Sequence, residues 1–219
     1  MNERKHSDDI PNLAGSWEAT TVRTSEARFL VVGRIRLQTR STLRVEIVQD
    51  GRDLEMQTEL TDVAIDINTA AVSVTIPEAA VENIATVGRP GRIESTDDGF
   101  DLVIPGHSRA EGVDLDDPEH DELPESAEDR RVVDQSGDGR PGMTIELGGL
   151  IDGQMQIVNR AWDRWRGEIG ADEIRGQLEW EDETKLLSAT NRWLNLSPKL
   201  TPVLGEDQSY FWMRPVDES

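Results

Sequence analysis

The 219-residue chain contains no cysteine. That absence removes disulfides, thiol nucleophiles, iron–sulfur clusters and cysteine-ligated zinc as sources of structure or chemistry. Histidine is scarce too, with three residues, His6, His107 and His120. No nucleophile elbow, paired-histidine zinc motif, phosphate-cradling glycine loop or dinucleotide fingerprint occurs. No apolar run approaches the ~18 residues that a membrane-crossing helix requires. The N-terminal MNERKHSDD lacks the apolar stretch of a signal peptide. Positive charge is the last shortage: 23 Lys and Arg face 44 Asp and Glu, a formal net charge of -21. Such a surface repels nucleic-acid phosphates and anionic headgroups, so neither a nucleic-acid partner nor a transmembrane span is expected. It suits solubility, cation binding or a basic partner.

What the chain does have is strand signal. Segments 28–39 and 42–50 are rich in β-branched residues, and the second runs into Asp50-Gly51, a strong hairpin cue. Segments 54–60, 63–67, 71–77 and 92–105 continue the pattern. It resumes at 143–151, 154–162, 164–169, 173–182, 185–190 and 209–216. One helix is predicted over 78–85, with Pro77 in its first turn. Residues 111–139 differ from the rest, holding 12 acidic and 2 basic residues. A structureless stretch of that length is a long insertion or linker. The expectation is an all-β antiparallel meander that closes into a barrel to bury its edges. It assigns residues 1–12 to a flexible tail, 13–216 to a single β-barrel domain with 106–142 as an acidic insertion loop, and 217–219 to a second tail.

Within that insertion, DQSGDGRPG spaces its oxygens like a cation loop. Asp134, Ser136 and Asp138 fall at positions one, three and five, Gly139 at six and the Arg140 carbonyl at seven. This is the first half of an EF-hand-type loop. The second half is missing, because position twelve is Ile145 and Glu146 comes one place late. A Ca²⁺ site here needs further carboxylates from upstream, such as Asp116 and Asp121. The competing reading is an Asx-turn linker in an acidic segment.

Six tryptophans stand against one tyrosine and three phenylalanines. Trp162 and Trp165, interleaved with Arg160, Arg164 and Arg166, suit a sugar-binding platform if exposed, and a core if buried. Glu179, Glu181 and Glu183 alternate along one strand face. They form either a solvated face or the carboxylates of a glycoside hydrolase.

LAGSWEA at 13–19 resembles the Gly-x-Trp signature that opens the first strand of lipocalins and related calycin barrels. The resemblance implies that Trp17, following Gly15, plugs the closed end of a barrel, packed beneath an arginine near the last strand, here Arg214. A wider resemblance covers about residues 14–216. TLRVEIVQDG, DVAIDINTAAVSVTIPEAAVENI, the DQSGDGRPG loop before a strand, IRGQLEWEDE and SYFWMRPV look like a group of uncharacterised secreted or lipid-anchored proteins. These belong to myxobacteria and other deltaproteobacteria and carry a D-x-D-G-D-G-x-P-G loop. The resemblance implies a β-rich fold and an envelope location, periplasmic or secreted, and implies no activity. The function expected is therefore a non-enzymatic envelope protein stabilised by calcium, with a small lipophilic ligand in the barrel mouth. The alternatives are a carbohydrate-binding module using an exposed tryptophan, and a glycoside hydrolase-like enzyme.

Overall fold

The Asp50-Gly51 step turns the chain back on itself as the sequence predicts. Gly51 takes a φ of 60°, which a side chain resists, and joins β2 (Gly33–Asp50) to β3 (Asp53–Ile67). The structure, a computed structural model, describes residues 9–29, 33–150, 152–192, 194, 200–205 and 207–216. Residues 1–8, 195–199 and 217–219, and with them Trp193, lie outside the described residues.

The other elements are β1 (Gly15–Phe29), β4 (Val72–Thr75), α1 (Glu78–Glu82), β5 (Val87–Ser95), β6 (Phe100–Glu111) and β7 (Met143–Gly149). After them come β8 (Gly153–Ile169), β9 (Ile174–Ala189), β10 (Thr201–Val203) and β11 (Tyr210–Pro215). All pairings between strands are antiparallel. Eight strands form a closed ring in the order β1, β2, β3, β5, β6, β8, β9, β11, and back to β1. β4 and β7 form a ribbon on the flank of β8, and β10 pairs with β1.

The strands are longer than the sequence pattern suggests. Segment 28–39 is not one strand: Phe29 and Gly33 are register partners, so it spans the end of β1 and the start of β2. Conversely, the expected breaks at 163 and at 183–184 fall inside β8 and β9. Asp163 faces the ring interior and imitates a loop in the sequence, and the Glu183-Thr184 pair is polar enough to do the same. The helix predicted to 85 ends at Glu82.

Among the described residues three bulges interrupt the pairing, one of them at Leu187 in β9, and the other two reset which side chains of β3 and β6 face inward. Leu43 pairs with Leu60 and Thr42 with Asp62, so Thr61 is the extra residue. Inward positions are Leu54, Met56 and Thr58 before it, and Val63, Ile65 and Ile67 after it. In β6, Ile104 pairs with Trp165 and His107 with Asp163, again with one residue to spare. The shift swings His107, Arg109 and Glu111 onto the inner face.

Inside, the ring has three layers. Trp17, Met56, Leu102, Trp165, Leu178 and Phe211 belong to an apolar end, which is filled by its own side chains. A polar layer follows, and beyond it Ala27, Ile35 and Leu37 form a second apolar cluster with Ile65 and Ile67. The acidic segment after β6 is held on the outer face of β8. Its Val113, Leu115 and Leu123 pack with Val158, and Val113 bridges Val132.

Candidate functional site

The polar layer of the interior centres on Asp163, whose side chain is 2% exposed. Its Oδ2 accepts from Arg23 at 2.6 Å and Arg109 at 3.3 Å. Its Oδ1 pairs with Arg89 at 2.6 Å and accepts the Trp165 indole N–H at 2.8 Å. One carboxylate thus satisfies donors from four side chains on β1, β5, β6 and β8. Arg89 lies over the Trp165 ring at 5.3 Å and Arg23 over Trp180 at 5.8 Å, so guanidiniums cap the aromatic layer of the first apolar end. Farther along, Arg109 pairs with Glu111, which accepts from Asn159 at 2.9 Å. Burial alone would raise the Asp163 carboxyl, and the three arginines reverse that, holding it at about 2. Asp182 goes the other way: burial pushes its carboxyl up against the weaker pull of Arg23, 4.0 Å distant. A lipophilic guest in this ring would have to displace apolar side chains at either end or break the ion network between them.

Two clefts lie on the outer face. The larger, about 880 Å³, crosses β8, β9 and β11. Alternation along β11 sends Phe211 and Met213 inward and Tyr210, Trp212 and Arg214 outward. Tyr210 and Trp212 stack at 5.9 Å with an interplanar angle of 24°. Around them stand Arg166, Arg175 and Arg214 with Asp101, Glu168 and Asp207, three charges of each sign. Arg166 pairs with Asp101 at 2.9 Å, and Arg175 and Arg214 share Glu173. The cleft therefore offers two aromatic faces within a charge-balanced rim of fixed donors and acceptors.

The smaller cleft, about 360 Å³, is lined by Trp162, Ser108, Arg160, Glu181, Glu183 and, from the acidic segment, Glu119. Trp162, which the sequence left open between an exposed platform and a core position, lies on the outer face. Trp165 does not: alternation turns it inward, where it is 2% exposed and packs on Phe211 at 5.0 Å. It presents no face to a ligand. The glutamate row of β9 does point outward, with Glu179 paired to Arg164 at 2.9 Å and Glu183 paired to Arg160.

The DQSGDG turn gathers Asp134, Ser136 and Asp138, but their oxygens face the chain's own donors. Asp134 accepts the N–H of Asp138 at 3.2 Å and of Gly139 at 2.8 Å. Ser136 accepts the N–H of Thr144, and Asp138 accepts the Thr144 hydroxyl and the N–H of Arg140. The Arg140 side chain donates to Gln154. Asp121 accepts the N–H of Asp117 in an upstream turn, and Asp116 is exposed. Among the described residues no group of three acidic or histidine side chains converges as a metal cage.

Trp17, two residues after Gly15, is buried in the same apolar cluster as Trp165, and its indole N–H donates to the Leu13 carbonyl at 2.9 Å. The arginine implied by the calycin resemblance is not beneath it. Arg214 lies on the outer face of β11 and pairs with Glu173, because inward positions on this strand are the odd ones.

The residues that sequence reasoning missed are Tyr210, Trp212 and Asp163. The first two had a signal, since YFW in a strand must put aromatics on both faces. Comparison with models of known families, with curated proteins and with solved structures gives no match. Among the described residues no helix is long and apolar enough to cross a membrane.

Proposed function

We propose that the protein is a non-catalytic binding protein of the cell envelope whose outer cleft across β8, β9 and β11 takes a neutral glycan. One observation carries this reading: Tyr210 and Trp212 stack side by side in the larger of the two clefts, within a rim whose charges cancel. A pyranose ring presents C–H groups to such a platform and hydroxyls to paired arginines and carboxylates. Affinity comes from the aromatic faces, and orientation from the rim. Retardation of the protein in gels containing soluble glucan, mannan or xylan tests the proposal. Trp212→Ala is expected to weaken the retardation about tenfold or more, as loss of a central aromatic anchor does. Equal retardation of variant and parent, or none by any neutral polysaccharide, rejects the assignment.

Calcium is proposed only as an addition to the DQSGDG turn. Support comes from Asp134, Ser136 and Asp138 lining one turn. Because those oxygens already accept protein donors, the turn closes on its own hydrogen bonds. Calcium in place of chelator is then expected to raise the melting temperature by no more than ~2 °C, roughly half a kcal/mol for a domain of this size. A rise several times larger makes the ion integral to the fold.

A further inference from the structure

The second cleft differs from the first in the sign of its walls. Glu119, Glu181 and Glu183 line it against Arg160 alone. Arg160 is already committed: it pairs with Glu183 and donates to the carbonyls of Pro118, Glu119 and Asp121 at 3.4, 3.2 and 2.9 Å. Those bonds fix the acidic segment as one wall. Glu119 and Glu181 form no salt bridge among the described residues. Asp182, between these outward glutamates, turns its carboxylate inward to Arg23 at 4.0 Å, so the acidic wall of the cleft consists of Glu119, Glu181 and Glu183.

The aromatic wall is built in as well. Trp162 lies directly over Gly106, where an added Cβ would come within 2.6 Å of the indole. Glycine at 106 therefore seats the ring against the backbone, leaving the remainder of the ring to line the cleft. The bulge in β6 places Gly106 at this point, beside Ser108, the register partner of Trp162.

An aromatic surface with carboxylates around it and no available cation is the complement of a positively charged organic group. The ring quadrupole attracts the charge, the carboxylates neutralise it, and the alkyl shell of the ligand occupies the apolar surface. A space of 360 Å³ lies at the lower end of the range for small-molecule sites, enough for a quaternary ammonium head with a short substituent. We infer that the Trp162 cleft is a binding site for a small organic cation of the alkylammonium class. It is separate from the glycan cleft, which is charge-balanced and built on other side chains.

Calorimetric titration of the full chain at physiological salt with choline and with its neutral isostere, 3,3-dimethylbutan-1-ol, tests this. Choline is expected to bind saturably with one site per chain, and the isostere not at all. Trp162→Ala is expected to weaken choline binding about tenfold, and Glu181→Gln several-fold, with Trp162→Phe falling between parent and alanine. Trp162 is on the outer face, so thermal melts of each variant should match the parent and exclude misfolding as the cause. Failure of choline to saturate the parent, equal binding of the isostere, preference for a neutral monosaccharide, or unchanged binding by Trp162→Ala would each overturn the assignment.

Discussion

Replacing Asp163 with alanine is expected to leave the chain unfolded or nearly so at neutral pH. The carboxylate is the common partner of Arg23, Arg89 and Arg109 in the ring interior. Removing one partner of a buried ion pair costs about 3–5 kcal/mol, because the remaining charge stays buried without compensation. Here three guanidiniums are left, against a total stability of order 5–15 kcal/mol for a domain. Asp163→Asn keeps the shape and one acceptor, and should fall between alanine and parent in urea midpoint. The same carboxylate sets a pH response. Its folded value of about 2 lies below the ordinary 3.8, so its stabilisation is complete above pH 4 and drains away as pH falls toward 2. Asp182 acts in the opposite sense: its raised carboxyl means that folding opposes ionisation, a cost that appears as pH rises past its ordinary value. An unchanged midpoint in Asp163→Ala would mean that the arginines do not depend on it.

Gly176→Ala is expected to be the second severe change. Gly176 and Gly167 are register partners on β9 and β8. A Cβ on Gly176 would lie 2.0 Å from the Arg166 carbonyl oxygen and 2.2 Å from the Gly167 Cα. Both neighbours are backbone, so the strands themselves must separate. Overpacking of this sort costs ~1–3 kcal/mol, and contact with backbone places it at the top of that range. For a domain of this size that is a fall of about 10 °C in melting temperature. Phe211 fills the space left by the glycine pair, since its ring would sit 2.8 Å from a Cβ on Gly167. Tryptophan emission should therefore shift as well, because Phe211 packs on Trp165. A melt within two degrees of the parent would show that the seam yields cheaply.

Much of the fold was legible in the sequence because most outward positions are polar and most inward ones apolar. The Asp50-Gly51 hairpin, the all-β class and the acidic segment follow from local signals of that kind, although the insertion expected from 106 starts only after Glu111, because the bulged end of β6 carries polar side chains inward. Reading stopped where the interior itself becomes polar. Asp163 looks like a break between two short strands, yet it lies in the middle of β8, and its arginines come from positions 140, 74 and 54 residues away in sequence. No local pattern reports such a partnership. The bulges in β3 and β6 cause a further loss, because one extra residue reverses the inward set and makes correct alternation look irregular. The candidate sites follow the same division. Trp162 was legible as an aromatic beside arginines but not as an outward one, since its facing depends on the register of β8. Trp165, three positions later, has the opposite parity and belongs to the core.

Ring closure joins the first strand to the last. β1 pairs with β11 from Trp17↔Pro215 to Val22↔Tyr210, and β11 passes the connection on to β9. During synthesis, ten of the described strands leave the ribosome before the one that closes the seam. Until then β1 and β9 expose long rows of unpaired N–H and C=O groups, the kind of edge on which nascent chains cross-pair. The net charge of -21 builds up as the chain emerges, and about half of it arrives with residues 111–139, ahead of β8, β9 and β11, so that copies repel one another while those edges are open. The acidity of this chain thus protects an unfinished ring as much as it solubilises a finished one.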